Sequence, residues 1–193
     1  MSSQTQSERT YFMIKPDGVT RGLIGEIIHR VEQRGLKIIA LQMVQPTKAQ
    51  MDEHYPKDEA WITRIGGKTL STNEKYHIDT MAQMGTTDPF EIGKRVRGWL
   101  IDFMASAPVV KVVVEGPHAI EMIRKLAGNT MPALAEMGTI RGDYSVDSAA
   151  TANREGRAVQ NLVHASETPE EAAHEISHWF APEDVHPYRR TGE

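Results

Sequence analysis

The 193 residues are 39% hydrophobic and 25% charged, with a net charge of −4, the makeup of one globular domain with a sizeable core. The acidic balance argues against nonspecific nucleic-acid binding, and the lack of cysteine excludes a disulfide scaffold, a thiolate metal site and a thiol nucleophile. No apolar run approaches the ~20 residues of a membrane span. The polar start MSSQTQSER lacks the apolar core of a signal peptide, so a cytoplasmic protein with a short disordered lead over residues 1–8 is expected.

In chain order, Tyr11 to Ile14 is a short apolar run stopped by Lys15-Pro16-Asp17-Gly18, a strand feeding a turn. Leu23, Ile24, Ile27, Ile28 and Val31 recur at helical spacing until Gly35. Leu36 to Val44 reads as a second strand ended by Pro46. Asp58 to Met84 is mixed and partly helical, whereas Ile92, Val96, Trp99, Leu100 and Phe103 mark an amphipathic helix that stops before Pro108. The valine-rich Val109 to Val114 predicts a central strand, and Ala119 to Ala127 a helix ended by Gly128. Thr168-Pro169-Glu170-Glu171 combines a capping threonine, a first-turn proline and early acids, so a helix should run to about Trp179. Strands alternating with helices predict an α+β sandwich in which helices cover one face of a small sheet.

Three motifs compete for the chemistry. Arg64 to Thr69, RIGGKT, resembles the end of a phosphate-binding loop, but the full pattern needs glycine where Ile62 stands. His174-Glu175-Ile176-Ser177-His178 is a literal H-E-x-x-H, which on a helix would offer two imidazoles to zinc and a glutamate as base. A third ligand is missing from that pattern, and the metzincin extension meets Ala181 where glycine is required. Helical spacing also puts Ala172, Glu175, Ile176 and Trp179 on one face, so Glu175 should point inward and need a partner. The third constellation is dispersed. Lys15, Arg124, Arg141 in Thr139-Ile140-Arg141-Gly142-Asp143, Asn161 and His164 fall at element ends and in loops, where sites are usually built. Cations around a histidine suit a polyphosphate that donates a phosphoryl group, with Gly142 letting the backbone approach the phosphates.

The third reading carries a family resemblance. Thr10 to Gly25, TYFMIKPDGVTRGLIG, Gly138 to Tyr144, GTIRGDY, and Asn161 to Glu167, NLVHASE, resemble three segments of the nucleoside diphosphate kinases in their order, and the resemblance spans residues 9–188. It implies a ferredoxin-like βαββαβ core with an antiparallel sheet and helices on one face, in a single domain of residues 9–188 with a tail over 189–193. It implies that His164 becomes a phosphohistidine, oriented by Ser166 and Glu175. Lys15 and Tyr55 would lie near the transferred phosphate, Arg124, Thr130 and Arg141 would bind phosphates, and Asn161 would touch the sugar hydroxyl. Counting back from Ser106-Ala107-Pro108, the family's base-stacking aromatic falls on Val96. Ala165 and Met131 replace a usual glycine and asparagine. Two insertions set the chain apart, one between Tyr55 and Pro108 and one around Ser148 to Arg157.

The activity so implied is ping-pong transfer of the terminal phosphate from a nucleoside triphosphate to a diphosphate, with Mg2+ carried by the nucleotide and no protein metal site. The implied partners are those nucleotides and further copies of the chain, most often in a hexamer, with no membrane and no specific nucleic acid. A catalytically silent scaffold and a metal hydrolase through His174, Glu175 and His178 remain alternatives.

Overall fold

The computed structural model describes residues 7–191. Four strands form one antiparallel sheet: β1 (Ser7–Ile14), β2 (Lys37–Val44), β3 (Val109–Pro117) and β4 (Val163–Ala165), in the order β2-β3-β1-β4. The described residues also form ten α-helices: α1 (Pro16–Thr20), α2 (Ile24–Gln33), α3 (Lys48–His54), α4 (Glu59–Lys75), α5 (Thr80–Met84), α6 (Pro89–Met104), α7 (Ala119–Ala127), α8 (Ile140–Tyr144), α9 (Ala149–Glu155) and α10 (Pro169–Trp179). β1 begins two residues inside the expected lead, and the rest of that lead lies outside the described residues, as do the last two residues of the tail.

The valine run does form a central strand. β3 pairs with β1 and β2 along nearly its whole length, with a bulge between Ile38 and Ala40. Successive strand residues point to opposite faces. In β1 both sets are apolar: Phe12 and Ile14 pack with Ile27, Val31 and Ile123 from α2 and α7, while Tyr11 and Met13 pack with Met51, Met104 and Trp179 from α3, α6 and α10. The two helices α2 and α7 make the expected face. Helices cover the other face as well, because a strand apolar on both sides must be buried on both.

α4 and α6 form a hairpin at one side of the sheet. They touch through backbone: a Cβ on Gly66 would lie 1.8 Å from the Pro89 carbonyl oxygen, and one on Gly93 would lie 2.0 Å from that of Ile62. The RIGGKT segment is therefore the interior of a helix, and its Gly66 serves helix contact rather than phosphate binding.

Candidate active site

Strand register places His164. Met13 of β1 faces His164 of β4, and residues opposite one another in an antiparallel pair share a face. The imidazole therefore sits on the Tyr11 and Met13 side, against the end of α3 and the inner stripe of α10. Immediately before it, Val163 N–H donates to the Asn161 carbonyl at 2.8 Å across Leu162, whose φ is +69°. A buried leucine in that conformation costs about 1–3 kcal/mol. The turn is held from both sides, since Leu162 N–H donates to Asp17 Oδ2 at 2.9 Å and its carbonyl accepts from Lys15 N–H at 2.8 Å.

Glu175 points inward, as its helical position predicts, and it has two partners. Its Oε1 lies 2.6 Å from His164 Nε2, and its Oε2 accepts from the Ser166 hydroxyl at 2.6 Å. Burial opposes its charge, but the His164 ring, His54 and that hydroxyl hold the carboxyl below the usual range. A carboxylate on Nε2 fixes the tautomer with its proton there, leaving the Nδ1 lone pair free.

His54 closes the group. Its ring meets His164 edge-on at 4.9 Å, and Trp179 Nε1–H donates to its Nδ1 at 3.3 Å. Burial, then the neighbouring His164, pushes its pKa down to about 3, so it is neutral. The candidate ligand atoms of His54, His164 and Glu175 lie within 4.8 Å of one another. Hydrogen bonds already engage His164 Nε2, both Glu175 oxygens and His54 Nδ1.

Cations line the same cleft, of about 300 Å³. Lys15 Nζ donates to Asn161 Oδ1 at 2.8 Å, and burial followed by the nearby Arg141 lowers its pKa to about 8. Arg141 donates to the carbonyls of Asn161 (3.1 Å), Gly128 (2.7 Å) and Val163 (2.7 Å). A guanidinium has five N–H donors, so one on each Nη remains for a ligand. Burial and Arg124 bring its pKa down to about 10, still charged at neutral pH. Arg124 is half-exposed and pairs with Glu167 at 3.0 Å across the mouth. The larger groove beside α10, about 770 Å³ with Ile120, Ile176, Phe180 and Val185 in its wall, offers no comparable cation cluster.

Of the residues singled out from sequence, Lys15, Tyr55, Arg124, Thr130, Arg141, Asn161, His164 and Glu175 all line this cleft, with Ser166 buried behind Glu175. Val96 does not. It is half-buried on α6, and the aromatics in the cleft wall are Tyr55 and Trp61, 6.3 Å apart between ring centres. A count of that length back from Pro108 ends inside α6 and does not reach Trp61 on α4. Gly142 is corrected as well: a Cβ there would lie 2.1 Å from the Glu136 carbonyl oxygen, so its smallness lets α8 start against Glu136. The H-E-x-x-H triad does not converge, because Glu175 is buried against His164 whereas His174 is exposed and His178 turns to the Gln50 carbonyl at 3.2 Å.

The sequence model of the nucleoside diphosphate kinase family matches residues 8–61 and 90–185. The chain belongs to the nucleoside diphosphate kinase family. A nucleoside diphosphate kinase of Pyrobaculum aerophilum is 48% identical over 178 residues, 92% of this chain and 97% of that one. One of Pyrococcus furiosus is 38% identical over 186 residues, 96% of this chain and 91% of that one. Among solved structures, an NDP kinase from Pyrobaculum aerophilum superposes with a TM-score of 0.92 at 46% identity, covering 94% of this chain and all of that one. A transition-state mimic of the Borrelia burgdorferi enzyme with vanadate and ADP superposes with a TM-score of 0.76 at 34% identity, covering 95% and 93%. The unmatched residues 62–89 contain most of α4, all of α5 and the start of α6.

Three residues of the site region escaped the sequence reading: Trp61, His54 and Arg97. His54 was legible only as the neighbour of Tyr55. Arg97, adjacent to Val96, reaches from α6 to Asp52 Oδ1 (2.6 Å) and to the carbonyls of Asp52 (2.7 Å), Tyr55 (3.1 Å) and Pro56 (2.9 Å), and so grips the turn that carries His54 and Tyr55. Nothing in its local sequence marks that role.

Proposed function

We propose that the chain transfers the terminal phosphate of a nucleoside triphosphate to a nucleoside diphosphate through a phosphohistidine on His164. The observation that carries this reading is the commitment of Nε2 to Glu175 while the ring opens on a cleft walled by Lys15, Arg124 and Arg141. In the first step the Nδ1 lone pair attacks the γ-phosphorus in line with the bridging oxygen. The N–P bond forms, the P–O bond to the β-phosphate breaks, and the leaving diphosphate keeps the electron pair. Positive charge on the ring is met by Glu175 through the Nε2 proton. Lys15 and the two remaining Arg141 N–H groups face charge that builds on the phosphoryl and leaving oxygens. In the second step a terminal oxygen of the acceptor diphosphate attacks the same phosphorus and the N–P bond breaks.

Trp61 takes the base-side place that counting gave to Val96, and Asn161 and Thr130 take the sugar and phosphate side. The donor set fits a Mg2+ that arrives on the nucleotide. Of the acids in the wall, Glu175 is committed to His164 and Ser166, Glu167 to Arg124, and Glu171 accepts from the Glu167 N–H at 2.6 Å. Such an ion neutralises phosphate charge and keeps most of its ligands as phosphate and water oxygens.

Residues 9–188 act as one catalytic domain in this reading, placed in the cytoplasm with its nucleotide substrates. Among the described residues no helix is long and apolar enough to cross a membrane. Exposed Leu41 and Met43 on β2 support a homo-oligomer, with a hexamer expected; light scattering tests it, and a monomer at micromolar concentration contradicts it. Initial rates against both nucleotides test the two-step path. Parallel double-reciprocal lines support it, and intersecting lines oppose it.

A further inference from the structure

The segment left unmatched by the family model, residues 62–89, meets the Ser148 to Arg157 segment. Asn153 on α9 donates from Nδ2 to Asn73 Oδ1 on α4 at 2.8 Å, and both side chains are buried. Asn73 in turn donates to Thr80 Oγ1 of α5 at 3.0 Å, and Arg154 donates to the Tyr76 carbonyl at 3.3 Å. Buried amides are costly to leave unpaired, so this junction is specific in a way that apolar contact would not be.

Each end of the junction leads to the cleft. Along α4, Asn73 is joined by about 18 Å of continuous helix to Trp61, whose N–H is fixed by Asp58 at the helix start at 2.8 Å. On the other side, α9 leads into Arg157, which pairs with Asp147 at 2.6 Å. The same Asp147 carboxylate accepts from Gln160 N–H at 2.7 Å, next to Asn161, and its carbonyl accepts from Ala133 N–H at 3.1 Å, just after the Thr130 loop. Asn161 Nδ2 then donates to the Thr130 carbonyl at 2.8 Å, joining the two. The phosphate end of the cleft is built differently. His164 is held by β1 and α10, and the Lys15 backbone by Leu162 at the strand-to-turn junction, with only the Lys15 ammonium reaching across to Asn161.

We propose that the 62–89 segment and the Ser148 to Arg157 segment form one strap that sets the gap between Trp61 and Asn161, with Asn73 and Asn153 as positioning residues for the nucleoside end of the substrate. The proposal rests on the kinase reading above. Its content is a division of labour: the sheet and α10 align the phosphates, and the strap aligns base and sugar. Opening the junction therefore weakens nucleotide binding and spares the chemistry at His164.

The test uses the full chain with Asn153→Leu, and with Asn73→Leu/Asn153→Leu, which removes both amides and leaves neither partner orphaned if the single variant does not fold. Steady-state constants are measured with nucleotides, and the rate of His164 phosphorylation is measured with phosphoramidate, a donor without base or sugar. The expected result is a KM raised about tenfold with kcat within about twofold, the pattern of lost uniform binding, and an unchanged phosphoramidate rate. A folded variant with unchanged KM overturns the proposal. A phosphoramidate rate that falls together with nucleotide turnover also overturns it, because the damage then reaches the histidine. A wild-type protein labelled by phosphoramidate but not by any nucleoside triphosphate overturns the kinase reading, and the strap with it.

Discussion

Glu175 Oε1 lies 2.6 Å from His164 Nε2, and the other oxygen of the same carboxylate accepts from Ser166. The two residues come from different elements, α10 and β4, and meet only because register turns His164 to the face that α10 covers. Glu175→Gln keeps the shape and one acceptor but loses the charge that steadies a positive ring. Turnover should fall by roughly 10–10²-fold, the usual cost of losing such an orienting partner, with nucleotide KM little changed. A Gln variant with wild-type kcat contradicts the role.

Lys15 sets a pH limit. Its folded pKa of about 8 lies below the ordinary 10.5, so in the free enzyme the ammonium is lost as pH rises through about 8. In stability terms the sign is opposite: the unfolded chain holds more protons between those values, so Lys15 makes the fold more stable as pH rises across them. For activity, kcat/KM should fall above about pH 8, and the break in kcat should move higher, since bound phosphates favour the charged amine. Arg141 stays charged in this window. A pH profile flat to 9.5, or a Lys15→Arg enzyme with the same break, contradicts the assignment.

Arg141 braces three carbonyls, and in the proposed reaction it also meets the phosphates. Arg141→Ala should cut kcat by about 10²–10³-fold, as for loss of a donor to transition-state charge. Arg141→Lys should recover only part of it, because one ammonium cannot hold several carbonyls in a planar fork. Steady-state rates at saturating nucleotide check this. An Ala variant with normal turnover and only a raised KM would place the arginine in ground-state binding.

The Arg124–Glu167 pair spans the mouth of the cleft and is largely in water, so it contributes little to the fold. Phosphates must displace Glu167 from Arg124 to use the arginine. Glu167→Gln should therefore lower nucleotide KM by about two- to fivefold at low salt, with the difference fading as salt screens it. Titration of binding at two ionic strengths measures it. A raised KM would mean that Glu167 itself serves the substrate.

The legible parts of this molecule are those with local patterns. The valines of β3, the alternating apolar residues of β1 and the cap at Thr168 declare their elements. Glu175 was readable as inward because helical spacing puts it in line with Ala172 and Trp179. The base side was not readable. Trp61 lies six residues after Tyr55 and ahead of the unmatched residues 62–89, so a count back from Pro108 stops at Val96 without reaching it. The second layer of helices had a signal that was passed over: Tyr11 and Met13 alternate with Phe12 and Ile14, so both sides of β1 demanded cover. The positive φ of Leu162 had none, since no leucine advertises a turn held by a distant Asp17.

The most direct test of the central claim is to incubate the protein with γ-labelled ATP and Mg2+ without acceptor, isolate the protein, and then add an unlabelled nucleoside diphosphate. The account predicts acid-labile, alkali-stable label on His164, bonded through Nδ1, that passes to the added diphosphate and is absent from a folded His164→Ala variant. Label that survives in that variant, or wild-type protein that takes up none, would contradict it.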